Sequence, residues 1–170
     1  MGVSGCGKST VAKQLADLFC CEFVEADDFH SEHAKRYMAS GKALNDDMRA
    51  PWIHRIKQDL EHKYTQKQSV ALSFSGLRQA HRDALRGIFN NTLFLHLVAP
   101  YQVIVQRIHD RSNHFMPPTL LKSQFAALES TDNEKDVIDL DAKQKIDQLI
   151  QLAGKQVSLI TNQTLGENKA

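Results

Sequence analysis

The sequence predicts an α/β domain in which a parallel sheet carries helices on both faces. Three observations predict it. Short apolar runs at residues 21–25, 69–74, 92–98 and 137–140 alternate with helical stretches, the pattern of a sheet built by crossover connections. Gly2-Val3-Ser4-Gly5-Cys6-Gly7-Lys8-Ser9 fits G-x-x-x-x-G-K-[ST], a loop that cradles phosphate and opens a helix. At 170 residues and 42% hydrophobic composition there is enough chain for one sizeable core, and no repeat or linker divides it, so 1–170 reads as a single domain.

Charge and cysteine usage exclude several classes. A net charge of +1 argues against a bulk electrostatic partner, so neither nucleic acid nor an anionic membrane surface is expected. No apolar run approaches the length of a membrane span, and no signal-peptide pattern is present. Cys6, Cys20 and Cys21 offer no C-x-x-C zinc spacing, and adjacent cysteines rarely bond each other. Reduced thiols in a cytoplasmic protein are the expectation.

In the first loop the glycines let the backbone curl with its N–H groups inward, where a triphosphate can sit. Lys8 is expected on the β- and γ-phosphates, and the Ser9 hydroxyl on Mg²⁺. Gly2, Val3, Ser4, Gly5, Cys6, Gly7, Lys8, Ser9 and Thr10 are therefore the expected ATP-binding residues. Val11, Leu15 and Leu18, with Ala12, Ala16 and Phe19, continue at helical spacing, and the dipole of that helix favours an anion at its start. Such a loop normally follows a buried parallel strand, yet Met1 alone precedes Gly2, so the first strand is missing from this sequence. Two expectations follow: either the natural chain starts upstream, or the strand-like run Val157-Ser158-Leu159-Ile160, within the mostly polar tail 154–170, fills the gap.

Beyond the first helix, the run 21–25 reads as a strand delivering Asp27-Asp28-Phe29-His30 to the carboxyl end of the sheet, where open α/β folds bind ligands. Ser31 is placed to cap a short helix ending at Gly41. Pro51 suits a first helical turn, with Trp52, Ile53, Ile56 and Leu60 as the apolar stripe beyond it. The strand 69–74 leads into a basic helix with Arg78, Arg82 and Arg86 at i, i+4 and i+8 on one face. The strand 92–98 leads into a helix from Pro100 that carries Val103, Ile104 and Ile108, then Arg107 and Arg111. Ser112-Asn113-His114-Phe115-Met116-Pro117-Pro118 breaks that helix. Residues 119–128, 137–140 and 142–153 read as helix, strand and helix.

Together these residues resemble a known family, the gluconokinases, P-loop small-molecule kinases related in fold to shikimate and nucleoside monophosphate kinases. The resemblance is carried by the loop; by Asp27-Asp28-Phe29-His30; by Leu44-Asn45-Asp46-Asp47 with Arg49 and Pro51-Trp52; by Arg82-Asp83; and by His114-Phe115-Met116-Pro117-Pro118 with Leu120-Leu121, Ser123-Gln124 and Leu128-Glu129. It extends from residue 2 to about residue 141. It implies a P-loop kinase fold with a lid at about 112–122, and ATP-dependent phosphorylation of D-gluconate to 6-phosphogluconate with Mg²⁺, often by a homodimer. The chain departs from the family's pattern at the missing first strand, at Cys6 where serine is usual, at Ser31 where proline is usual, and at Arg78 where lysine is typical.

Phosphoryl transfer needs a base or orienter for the attacking hydroxyl, a metal, and positive charge on the moving group. Lys8, Asp27, Arg107 and Arg111 are the expected catalytic residues: Asp27 as the base, the two arginines, four residues apart, as lid cations over the phosphates. Gluconate is a hydroxylated anion, so its site should pair a cation with the carboxylate and set donors and acceptors on the hydroxyls. Asp27, His30, Asn45, Arg49, Arg78, Arg82 and His114 are the expected substrate contacts. Plainer readings stand beside them. Arg82 and Arg86 also suit a solvated basic helix face, Asp46 and Asp47 a helix cap, and Arg107 and Arg111 an ordinary surface. Two other functions fit the same residues: a P-loop kinase for another small hydroxylated acid, and a nucleotide-binding protein without turnover.

Overall fold

The structure, a computed structural model, describes residues 1–110 and 118–161. Four short parallel strands form two pairs. β1 (Glu22–Glu25) lies beside β2 (Val70–Ser73), with Glu22 opposite Val70 and Glu25 opposite Ser73. β3 (Phe94–Val98) lies beside β4 (Val137–Asp141), with Phe94 opposite Val137 and Val98 opposite Asp141. Seven α-helices are found among the described residues: α1 (Lys8–Leu18), α2 (Glu32–Ala39), α3 (Asp46–Thr65), α4 (Gln79–Leu85), α5 (Tyr101–His109), α6 (Pro118–Ala127) and α7 (Ile146–Thr161). Every strand is short and largely apolar, and each is followed by a helix, as the alternating pattern predicts.

Caps explain several boundaries. The Ser31 hydroxyl accepts the Ala34 amide at 3.2 Å and starts α2. α3 begins well before Pro51, because Asn45 accepts the Met48 amide at 2.9 Å. Pro51 therefore sits inside the helix rather than in its first turn. Its missing N–H removes one backbone bond, while Trp52, Ile53, Ile56 and Leu60 bury the apolar stripe that holds the helix in place.

The expected strand at 157–160 is a correction: those residues belong to α7. Ile146, Leu149, Ile150, Ala153, Val157 and Ile160 recur at three- and four-residue steps, so the short β-like run is the continuation of a helical stripe. Leu149 and Ala153 are buried from that stripe.

Two apolar clusters flank the sheet. Val3, Val11, Leu15, Leu97, Ile104, Leu121 and Leu149 belong to one, under α1, α5, α6 and α7. Trp52, Ile56, Leu60, Phe74 and Leu85 belong to the other, between α3, α4 and β2. Between the strand pairs the first two residues of the chain make a bridge. The Met1 ammonium donates to the Leu95 carbonyl, the Leu97 amide donates to the Met1 carbonyl at 2.9 Å, and the Gly2 amide donates to the Ser75 carbonyl at 2.9 Å. Below this bridge an apolar cavity of about 820 Å³ opens between β2 and β3, with Leu15, Leu72, Leu95 and Val157 among its walls. Burial of the Met1 ammonium pushes its pKa down to about 5.

Candidate active site

The phosphate loop joins the Met1 bridge to α1. Gly2, Gly5 and Gly7 have φ of 134°, 83° and 103°, a region that L side chains rarely adopt. A Cβ on Gly5 would meet Ile108 at 3.0 Å and Ile104 at 3.2 Å, so the loop is packed directly on α5. A Cβ on Gly7 would meet nothing within 4 Å, which leaves the mouth of the loop open. The Lys8 ammonium donates to the Val3 carbonyl at 3.0 Å and so arches over the loop. Cys6 turns its side chain into the core, and what it offers the loop is backbone. This is a cradle fitted to phosphate oxygens: convergent backbone, a helix start and one ammonium.

Ser9 begins the link to the other half of the site. Its hydroxyl lies 3.3 Å from that of Ser73, a buried residue at the end of β2. Ser73 is paired in register with Glu25, and Asp27 follows two residues later in a 3₁₀ turn, Ala26–Phe29. The loop and the acidic turn therefore lie at the same end of the sheet. Trp52 fixes the turn from below, donating its indole N–H to the Ala26 carbonyl at 2.7 Å. Arg55 donates to the Phe29 carbonyl at 2.7 Å. Asp27 stays largely exposed, its side chain 69% accessible, with the His30 ring nitrogen 3.9 Å away.

His30 is stacked on Trp52, ring centroids 4.5 Å apart and nearly parallel. Burial, followed by the positive charges of Arg55, Lys35 and Arg49, pushes its pKa down to about 4, so it is a neutral imidazole at pH 7. Its Nδ1 is buried without a hydrogen-bond partner among the described residues. A buried neutral ring nitrogen next to a carboxylate can take one hydroxyl of a ligand.

Arg49, on α3, and Arg78, at the start of α4, meet across Asp46. The Asp46 carboxylate accepts from Arg49 at 3.3 Å and from Arg78 at 2.7 Å. Two guanidinium groups thus share one carboxylate, and the Arg78 Nε is buried without a hydrogen-bond partner among the described residues. His81, one turn along α4, titrates below its ordinary range, first through burial and then through the charge of Arg49. Asn45 is occupied at the start of α3, where its oxygen holds the Met48 amide rather than facing a ligand.

Arg82 is the clearest departure from expectation. It is fully buried, and its guanidinium donates twice to Glu134 through Nε at 3.0 Å, again through Nη2, to the Gly76 carbonyl at 2.7 Å and to the Ser130 carbonyl at 3.4 Å. Those bonds fasten the 130–134 segment under the turn before α4, and full burial shuts the guanidinium off from solvent. Arg107 donates to the Ala142 carbonyl at 2.6 Å and borders a cavity of about 200 Å³ on the flank of α1, with Gly7, Thr10 and Gln144. Arg111 and His114, with most of the expected lid, lie outside the described residues.

Three residues that sequence reasoning did not assign a role are part of this arrangement. Ser73 bridges the loop to β1, His81 adjoins the arginine pair, and Gln124 accepts the Ser4 amide at 2.6 Å. For His81 the signal was its i+3 spacing from Arg78. For Ser73 and Gln124 no local signal exists, since each acts across a long stretch of chain. Among the described residues no group of three His, Cys, Asp or Glu side chains could hold a metal by itself. A Mg²⁺ ion that coordinates the Ser9 hydroxyl and phosphate oxygens fits this donor set.

The chain is similar to known proteins over most of its length. The AAA domain family matches residues 1–131. A gluconokinase of Arabidopsis thaliana is 38% identical over 148 residues, covering 79% of this chain and 78% of that protein. The thermosensitive gluconokinase of Escherichia coli is 35% identical over 147 residues, covering 86% and 79%. Among solved structures, a sugar kinase from Janibacter superposes with a TM-score of 0.88 at 39% identity, over 93% of this chain and 91% of the other. A gluconokinase from Sinorhizobium meliloti superposes with a TM-score of 0.84 at 33% identity, over 95% and 91%.

Proposed function

Since this chain belongs to the gluconokinase family, P-loop kinases within the AAA domain family, we propose that it transfers the γ-phosphoryl group of ATP to D-gluconate. It is an ATP-dependent carbohydrate kinase, a phosphotransferase to an alcohol. The observation that carries the reading is the short path from loop to acidic turn: Ser9 touches Ser73, Ser73 pairs with Glu25, and Asp27 follows.

The loop amides and Lys8 hold the triphosphate, Lys8 turning from the Val3 carbonyl to the β- and γ-oxygens. Ser9 is the residue that would hold Mg²⁺, which neutralises charge across the phosphates. Arg107 and the cavity beside α1 receive the base and ribose end of the nucleotide. On the acceptor side, Asp27 takes the proton of the attacking hydroxyl as the new P–O bond forms and the bond to ADP breaks. Neutral His30 pairs with a neighbouring hydroxyl. Arg49 and Arg78 take the carboxylate: Asp46 balances only one of their two charges, and an acidic acceptor balances the other. Arg82 has no part in binding on this reading. Three unpaired thiols support a reducing, cytoplasmic setting.

Turnover of ATP against a panel of gluconate, shikimate and 5-ketogluconate tests the proposal. Gluconate is expected to be the fastest acceptor. Failure to phosphorylate gluconate while another acid is phosphorylated would move the assignment to that acid. ATP binding with no acceptor phosphorylated would leave a nucleotide-binding protein without turnover.

A further inference from the structure

We propose that Gln124 is a positioning residue of the phosphate loop, its side-chain carbonyl holding the Ser4 amide and thereby the curvature that aims the following amides at the nucleotide phosphates. The inference rests on the kinase reading only for nucleotide binding; the identity of the acceptor does not enter it.

The Ser4 N–H donates to Gln124 Oε1 at 2.6 Å, a contact between residues 120 positions apart. Other bonds of the loop come from nearby backbone or from the strand ends. Gly2 donates to Ser75 at 2.9 Å, Cys6 to Val3 at 3.4 Å, and Lys8 through its ammonium to Val3 at 3.0 Å. Gln124 thus supplies a tether to the front of the loop from outside the loop and sheet. Ser4 directly precedes Gly5, which is already pressed against Ile104 and Ile108 with a positive φ. A loop held on one side by α5 and at Ser4 by a side chain has little freedom to flatten.

The mount is rigid. Gln124 projects from α6, one turn after Leu121, which is fully buried in the same cluster as Val3 and Cys6; Phe125 packs against that cluster too. The acceptor oxygen is therefore located by the core rather than by a mobile surface chain. The chemistry of the side chain is also suited to the place. Ser4 needs an acceptor, and a carboxylate would accept more strongly than a carboxamide. A carboxylate there would, however, stand beside the negative charge of a triphosphate. A carboxamide holds the amide without adding charge.

The test is nucleotide binding by calorimetry, without acceptor, on the full chain, together with thermal midpoints. Gln124→Ala is expected to weaken ATP and ADP about tenfold, the loss of one well-placed hydrogen bond. The KM for gluconate is expected to move less than twofold. Gln124→Glu keeps an acceptor for Ser4 and should melt within a few degrees of the parent. It should nevertheless bind ATP at least tenfold more weakly, lose more for ATP than for ADP, and recover part of the loss as salt is raised. Gln124→Glu binding ATP like the parent would reduce Gln124 to an anchor of α6 and overturn the proposal. So would a Gln124→Ala protein that melts lower yet binds nucleotide unchanged. If Gln124→Ala fails to fold, the glutamate variant decides alone.

Discussion

Arg78 and Arg82 stand one helical turn apart and end in opposite surroundings. Arg82 is sealed inside the molecule and shares Glu134 with Arg86, which also reaches Asp83 and Asp136. The Glu134 carboxyl is held below its usual range, first by the hydrogen bond from Arg82 and then by that from Arg86, against the opposing effect of burial. Two cations there face three carboxylates. Arg78 instead shares Asp46 with Arg49, two cations on one carboxylate, in a partly exposed setting. Spacing along the chain does not tell these two arginines apart; the groups that each one meets do. Arg82 is paired with a carboxylate and two carbonyls and shut off from solvent; Arg78 shares its carboxylate with a second cation and stays partly open to solvent. Net positive charge beside a polar turn is what an acidic substrate completes.

The sharpest way to break this comparison is Arg82→Ala. Removing the buried partner leaves Glu134 with Arg86 alone and strips the Gly76 and Ser130 carbonyls of their donor, and a destabilisation of ~3–5 kcal/mol is expected, measured by denaturant unfolding. A variant as stable as the parent, with a raised KM for gluconate, would place Arg82 in the substrate site after all.

The second effect is a pH dependence on the open side. The folded pKa of His30 lies at about 4, below its ordinary 6.5, so the unfolded chain binds the extra proton between those values. Its contribution is fully present above pH 6.5 and declines as pH falls toward 4, by up to ~3 kcal/mol. The parent and His30→Gln proteins should therefore differ in how unfolding free energy changes over that window, and run parallel above it. Parallel curves throughout would mean that burial and the surrounding cations do not hold His30 neutral.

Third, Arg78→Ala should raise the KM for gluconate about tenfold or more, through loss of a charged hydrogen bond to the carboxylate, with a stability change below ~1 kcal/mol. The KM for ATP should stay put. The smallest effect is expected from Arg78→Lys, which keeps the charge and loses the fork; a KM change of a few fold would sharpen the distinction between charge matching and bidentate geometry. Equal KM changes for gluconate and an uncharged polyol would count against a carboxylate contact.

Much of the candidate site could be drawn from the sequence because its residues lie in short local runs. The phosphate loop stands out by its spacing, and the Asp27–His30 turn and the 44–49 segment by their resemblance to the gluconokinases. Arg82 was misread because i, i+4 spacing says only that two side chains share a face, and Glu134, fifty-two residues on, decides what that face meets. The strand expected at 157–160 failed for a related reason: four residues cannot distinguish period 2 from period 3.6, whereas the stripe from Ile146 onward can.

Sequence by itself determined the alternation of strands and helices, the phosphate loop, and the acidic and basic residues from which an acceptor site could be drawn, because backbone propensity and periodicity act over one or two turns. Tertiary packing decided which arginines remain available, that His30 is neutral, that Gln124 reaches Ser4, and that Met1 and Gly2 bridge the two strand pairs. Those outcomes depend on which distant groups share a dry environment, and burial and charge pairing are set by the packed chain as a whole.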